Sequence, residues 1–136
     1  MGATQVDHVI LGAGLAGLVL YRLLHRHKRV VILDPTPGRW KIGEANVPEM
    51  FASPIFGGLM EKIRRLPSFS QKNGSVFIGD DSFGVYPITS NRADAVHVAR
   101  DELEQLLLAE WQIPVVEQRV TSLDIAGHVV HTDAGS

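Results

Sequence analysis

Cysteine is absent from the 136 residues. Disulfides, thiolate nucleophiles and cysteine-held zinc are therefore excluded, and the absence fits a reducing compartment. Long apolar runs are also missing: none reaches the ~18 residues of a membrane-spanning helix. The apolar stretch over residues 9–24 is interrupted by glycines and has no small-residue cleavage site after it, so it does not read as a secretory leader. These absences point to a cytoplasmic protein with no membrane partner. Charge of one sign is not in excess: 13 Lys and Arg against 15 Asp and Glu leave a net charge of -2, which gives no support to a nucleic-acid partner. The basic cluster His25-Arg26-His27-Lys28-Arg29 lies where a first helix should end, and cations there complement the helix dipole. The six histidines form no H-x-x-x-H pair, and His25 and His27 do not share a helix face, so no metal site is assigned.

Against these absences stands one dense motif. The run Val6-Asp7-His8-Val9-Ile10-Leu11 reads as a strand and continues into Gly12-Ala13-Gly14-Leu15-Ala16-Gly17. A G-x-G-x-x-G pattern has a physical meaning in this context, between a strand and a helix. Gly12 permits a tight turn, Gly14 lets backbone approach a pyrophosphate, and Gly17 lets the helix pack close to the strand. The helix N-terminus then offers free N–H groups and partial positive charge to phosphates. A second apolar run, Arg29-Val30-Val31-Ile32-Leu33, ends in Asp34 about 20 residues beyond the turn, where a carboxylate accepts hydrogen bonds from a ribose diol. The order of strand, turn, helix, strand and acid predicts a dinucleotide-binding βαβ unit. Glycines that serve packing alone would leave the first two glycines and Asp34 unexplained.

At 136 residues the chain has room for one domain with a real core. The pattern predicts strands over residues 6–11 and 30–33 with a helix over 15–27 between them, and a loop over 38–48. Residues 49–66 read as mostly helical, broken at Pro54 and at Gly57-Gly58. Residues 67–74 are turn-rich, and 75–79 with 83–88 read as a hairpin. A short strand over 95–99, a helix over 101–111, a third short strand at 114–116 and a last hairpin of 119–125 with 128–132 complete the expectation. The fold class is α/β: a Rossmann-like parallel sheet with a βαβ start, plus antiparallel hairpins. The chain stops in an apparent turn, Asp133-Ala134-Gly135-Ser136, where a doubly wound sheet would continue.

Taken together, residues 12–17, Asp34, Gly43-Glu44-Ala45-Asn46-Val47-Pro48 and Arg100-Asp101-x-Leu103 give the chain a resemblance to the flavin-dependent monooxygenase superfamily. Within it the chain looks most like the flavin-dependent halogenases, whose second flavin loop reads G-E-[AS]-[TS]-[VI]-P. Asn46 departs from that pattern, standing where the family has a hydroxyl residue. The resemblance spans nearly the whole chain but only the N-terminal FAD-binding portion of such an enzyme. The family's Gly-Asp flavin motif and W-x-W-x-I-P segment would lie beyond Ser136, and Trp40 and Trp111 do not form the latter. The expectation is a truncated piece of a larger enzyme, inactive by itself.

The resemblance implies FAD as cofactor. Gly12, Gly14, Leu15, Ala16 and Gly17 would hold its pyrophosphate, and Asp34 the adenosine ribose. Gly43, Glu44 and Ala45 would line the flavin side, Arg100 would reach back to the cofactor, and Val120 would meet the adenine edge through its backbone. Lys72 lies at the distance of the halogenase lysine that uses hypohalous acid and is the candidate catalytic residue. Simpler roles stand beside these: a strand-end turn for Asp34, a solvated loop acid for Glu44, surface cations for Arg100 and Lys72, and a plain strand residue for Val120.

The implied function is an FAD-dependent oxidoreductase that acts on a small, electron-rich organic substrate with oxygen and halide. Reduced FAD would come from a separate flavin reductase, since no nicotinamide site is evident. A hydroxylating monooxygenase uses the same loops and is the second reading. A non-catalytic nucleotide-binding fragment is the third.

Overall fold

The computed structural model describes residues 4–46, 48–72, 74–78, 83–87 and 96–135. In chain order these form β1 (His8–Leu11), α1 (Leu15–Leu24), β2 (Val30–Leu33), β3 (Glu44–Asn46), α2 (Pro48–Ala52), a 3-10 turn (Pro54–Phe56) and α3 (Met60–Ile63). There follow β4 (Ser70–Gln71), β5 (Gly74–Ile78), β6 (Phe83–Pro87), β7 (Val96–Val98), α4 (Arg100–Trp111), β8 (Val115–Val116), β9 (Val120–Asp124) and β10 (Val129–Thr132). The chain divides into two compact units, one of Met1–Trp40 with Glu104–Ser136 and the other of Lys41–Leu103.

The first unit is built on a parallel sheet of order β1-β2-β8. His8 pairs with Val30 and Leu11 with Leu33, and Ile32 pairs with Val115. The β-branched run of β2 suits a central parallel strand buried on both faces. Ile10, Leu18, Ile32, Leu33, Leu107 and Ile113 are buried, and each large side chain taken fully out of water contributes about 1.5–3 kcal/mol. β1 is less covered than its composition implies, since Leu11 keeps 49% of its surface.

The helix α1 stops at Leu24, three residues short of expectation, with His25 as its C-cap. Its ring stacks on Tyr21, and Nδ1 lies 3.0 Å from the Tyr21 carbonyl and 3.1 Å from that of Arg22. Carbonyls only accept, so Nδ1 carries the proton and satisfies the last turn. At the other end of this connection the Arg29 amide donates to Asp7 Oδ2 at 2.7 Å, and the guanidinium lies 3.3 Å from Oδ1. The amide first, and the guanidinium second, hold the Asp7 carboxyl below its ordinary value. A two-stranded hairpin, β9 with β10, closes the unit.

The second unit contains an antiparallel sheet of order β3-β7-β4. Val96 and Val98 of β7 are buried while His97 between them is exposed, which is the alternation of a one-faced strand. β3 and β4 fall in the segments expected to be loop and turn. With three and two residues they are too short to show a period of two. Residues 48–66 break at Pro54 and Gly57-Gly58 as expected, and Phe51 meets Phe56 edge to face at 5.5 Å. β5 and β6 form the expected hairpin, with Ile78 opposite Phe83. Among the described residues no helix is long and apolar enough to cross a membrane.

The approach of α1 to β1 sets the first expected outcome. A Cβ on Gly17 would run into the Gly12 carbonyl oxygen and meet Ile10 Cγ2 at 3.2 Å. Alanine would add up to ~1 kcal/mol of helix propensity. The overlap with backbone costs about 1–3 kcal/mol, and that cost wins. Gly17→Ala should therefore lower the urea unfolding midpoint.

Candidate dinucleotide site

The glycine turn and the end of β2 are joined by two backbone donors. The Gly12 amide donates to the Leu33 carbonyl at 2.8 Å, and the Ala13 amide to Asp34 Oδ2 at 2.8 Å. Gly12 has φ 100°, a conformation that favours glycine. Asp34 Oδ1 accepts the Thr36 amide at 2.8 Å, so the turn role is real. It does not exhaust the carboxylate, whose oxygens each retain a second acceptor site. Downstream, Gln105 Nε2 donates to the Gly38 carbonyl at 2.7 Å and holds the loop that follows Asp34.

Gly14 is the N-cap of α1. Its φ of -75° and ψ of 173° are extended values that any residue adopts, so conformation does not demand glycine there. No side chain caps this helix and its first turn holds no acid. The Leu15, Ala16 and Gly17 amides have no acceptor within the helix. An anionic diphosphate fits this arrangement: open donors, the positive end of the dipole, and a cap residue without a Cβ. Val120 is the half-buried first residue of β9, opposite Thr132, on a hairpin that pairs only with itself among the described residues.

The other candidates lie in the second unit. β3 runs beside β7, with Glu44 opposite Val98 and Ala45 opposite His97. A Cβ on Gly43 would lie 3.3 Å from the Val98 carbonyl oxygen and 3.8 Å from Ala99 Cα. Arg100 begins α4 directly after, so residues 43–45 and Arg100 are brought together around the end of β7. Arg100 is half-buried, and the buried Asp101 Oδ1 beside it has no hydrogen-bond partner among the described residues. Lys72 is half-buried immediately after β4.

Sequence reasoning missed two residues here, Ser68 and Glu102. The Ser68 hydroxyl accepts the Ala99 amide at 2.8 Å and donates to Glu102 Oε2 at 2.7 Å, while the Ser68 amide reaches the same oxygen at 3.0 Å. A signal existed: a helix that starts at Arg100 has Ala99 as its cap, and alanine cannot cap.

No family model matches the sequence, and no curated protein matches it. Solved structures of flavin-dependent halogenases and FAD-dependent monooxygenases share its fold. CmlS, a flavin-dependent halogenase, is 27% identical with a TM-score of 0.68, over 96% of this chain and 28% of that one. The flavin-dependent brominase Bmp2 is 23% identical with a TM-score of 0.72, over 98% and 35%. The peptidyl tryptophan dihydroxylase QhpG is 19% identical with a TM-score of 0.64, over 98% and 30%. The chain thus spans about a third of the length of these structures.

Ala13 is fully buried, so its amide needs Asp34. Asp34→Ala should cost about 1–3 kcal/mol and speed hydrogen exchange at the Ala13 amide. Asp34→Asn, which keeps one acceptor oxygen, should lose less in both measurements.

Proposed function

We propose that this chain is the FAD-binding portion of a flavin-dependent oxidoreductase. The observation that carries the reading is Gly14: an uncapped helix N-terminus bears glycine at a backbone conformation open to every residue. Its conformation gives no reason for it, whereas close approach of a diphosphate does. In this reading Gly12, Gly14, Leu15, Ala16 and Gly17 hold the diphosphate, and Asp34 takes the adenosine ribose with its remaining acceptor sites. Val120 offers backbone to the adenine edge. Gly43, Glu44 and Ala45 line the flavin side, and Arg100 supplies a cation beside them. The bound flavin supplies two-electron redox chemistry with oxygen. The chain's own residues bind it, orient it and restrict water.

Among flavin enzymes we infer a halogenase acting on an electron-rich small molecule, supported by the Gly43-Glu44-Ala45-Asn46-Val47-Pro48 loop and by the likeness to CmlS. Lys72 is then the residue that directs the oxidised halide onto substrate, and a separate reductase supplies reduced flavin. Hydroxylation is the second reading, favoured by Asn46 in place of a hydroxyl residue and by the likeness to a dihydroxylase.

FAD fluorescence quenching tests the cofactor. The chain should bind FAD more tightly than NADP, because Asp34 repels a 2′-phosphate and no arginine follows it directly. Gly14→Val should abolish FAD binding while leaving the unfolding midpoint near that of the unaltered chain. Tighter binding of NADP, or unchanged FAD binding by Gly14→Val, would sink the proposal. Weak FAD binding without turnover in any longer form would favour a non-catalytic role.

The lysine is tested separately. In a halogenating polypeptide that carries this chain, Lys72→Ala should leave oxygen consumption intact and remove halogenated product. Undiminished product would return Lys72 to the protein surface.

A further inference from the structure

We propose that Ser68 is a positioning residue for Arg100, closing the start of α4 from 31 positions away. This rests on the reading that Arg100 and residues 43–45 meet the flavin.

Counting from the Ala99 cap, Glu102 is the third helical residue, the place from which an acid normally reaches back to the cap's own amide. Here a hydroxyl is inserted between them. An amide can only donate and a carboxylate only accept, so the Ser68 hydroxyl has one possible direction. It accepts from Ala99 at 2.8 Å and gives its proton to Glu102 Oε2 at 2.7 Å. The Ser68 amide adds a second, charge-assisted bond to that oxygen at 3.0 Å. The first helical bond, from the Leu103 amide to the Ala99 carbonyl at 3.1 Å, starts at the residue so held.

Arg100 lies between the two anchored positions, Ala99 and Glu102. Its backbone is therefore fixed on both sides, and the direction in which its side chain leaves the helix is fixed with it. The same anchor acts on the neighbouring candidate segment, because Gly43 lies against Val98 and Ala99, with a Cβ reaching 3.8 Å from Ala99 Cα. Ser68 thus holds a residue that adjoins both elements assigned to the flavin half of the cofactor, Arg100 in sequence and Gly43 in space. Its hydrogen bonds among the described residues go to Ala99 and Glu102, whereas the adenosine diphosphate half is assigned to the glycine turn and Asp34.

The two halves can be read separately by titrating the whole chain with FAD and with ADP. Ser68→Ala should weaken FAD binding about tenfold, the equivalent of one lost hydrogen bond to a charged group, and leave ADP binding unchanged. Hydrogen exchange should rise at residues 99–103 and stay constant at Ala13. Ser68→Thr, which keeps the hydroxyl, should restore FAD affinity. If Ser68→Ala does not fold, Glu102→Gln, which keeps an acceptor without its charge, should give a smaller FAD-only loss. Equal FAD affinity in Ser68→Ala and the unaltered chain, or parallel loss of FAD and ADP, overturns the positioning role alone. An unaltered chain that binds neither ligand overturns the flavin reading itself, and with it this one.

Discussion

The first unit depends on the junction between the glycine turn and the end of β2. Ala13 is fully buried, and a buried amide must be paired. The nearest solution would be backbone, as it is for Gly12 and the Leu33 carbonyl. For Ala13 the solution is a carboxylate instead, Asp34 at 2.8 Å. That choice has two consequences. It locks the start of α1 at the carboxyl end of the parallel strands, where α/β sheets bind ligands. It also orders the Asp34 side chain, whose other oxygen takes the Thr36 amide at 2.8 Å.

The two long helices resolve their N-termini in opposite ways. α1 has a glycine cap, no side-chain acceptor and no acid in its first turn. α4 has Asp101 and Glu102 in its first turn, and its cap amide is taken by Ser68. Helix dipoles favour anions at both ends of this kind in principle. Two carboxylates in the first turn oppose that preference at α4, whereas the first turn of α1 holds no acid.

The parts of the fold that were legible in sequence are those written in continuous apolar runs. β1, α1 and β2 each carry enough residues to display a period or a continuous apolar run, although β1 is only partly buried, and Asp34 falls at the end of β2 as its spacing implied. The breaks at Pro54 and Gly57-Gly58 were legible because the residues themselves enforce them. The β3-β7-β4 sheet was not, because its outer strands are held by pairing to β7 rather than by any pattern of their own. The end of α1 was misplaced for a similar reason. His25 is the C-cap, its ring nitrogen on the Tyr21 and Arg22 carbonyls, and composition reads only that the residues after Leu24 are basic. Ser68 and Glu102 were missed because their bond spans 34 positions, although the poor cap at Ala99 marked the place where help was needed.

The glycines carry the last distinction, between what the fold needs and what a ligand needs. Gly12 is required by its positive φ and Gly17 by its contact with the Gly12 carbonyl. A motif match cannot separate such residues from functional ones, because a βαβ unit that binds nothing would need them too. Gly43 lies in between: its approach to the Val98 carbonyl is reason enough for a small residue, whatever the neighbouring segment binds. Gly14 is the exception in the set. Its backbone is ordinary and it occupies a cap position where serine, asparagine or aspartate would stabilise the helix by a few tenths of a kcal/mol more than glycine does. Its conformation leaves the position open to other residues, which is why the proposed diphosphate contact is tested there. The weight of the functional reading therefore rests on one glycine of the motif rather than on its full pattern.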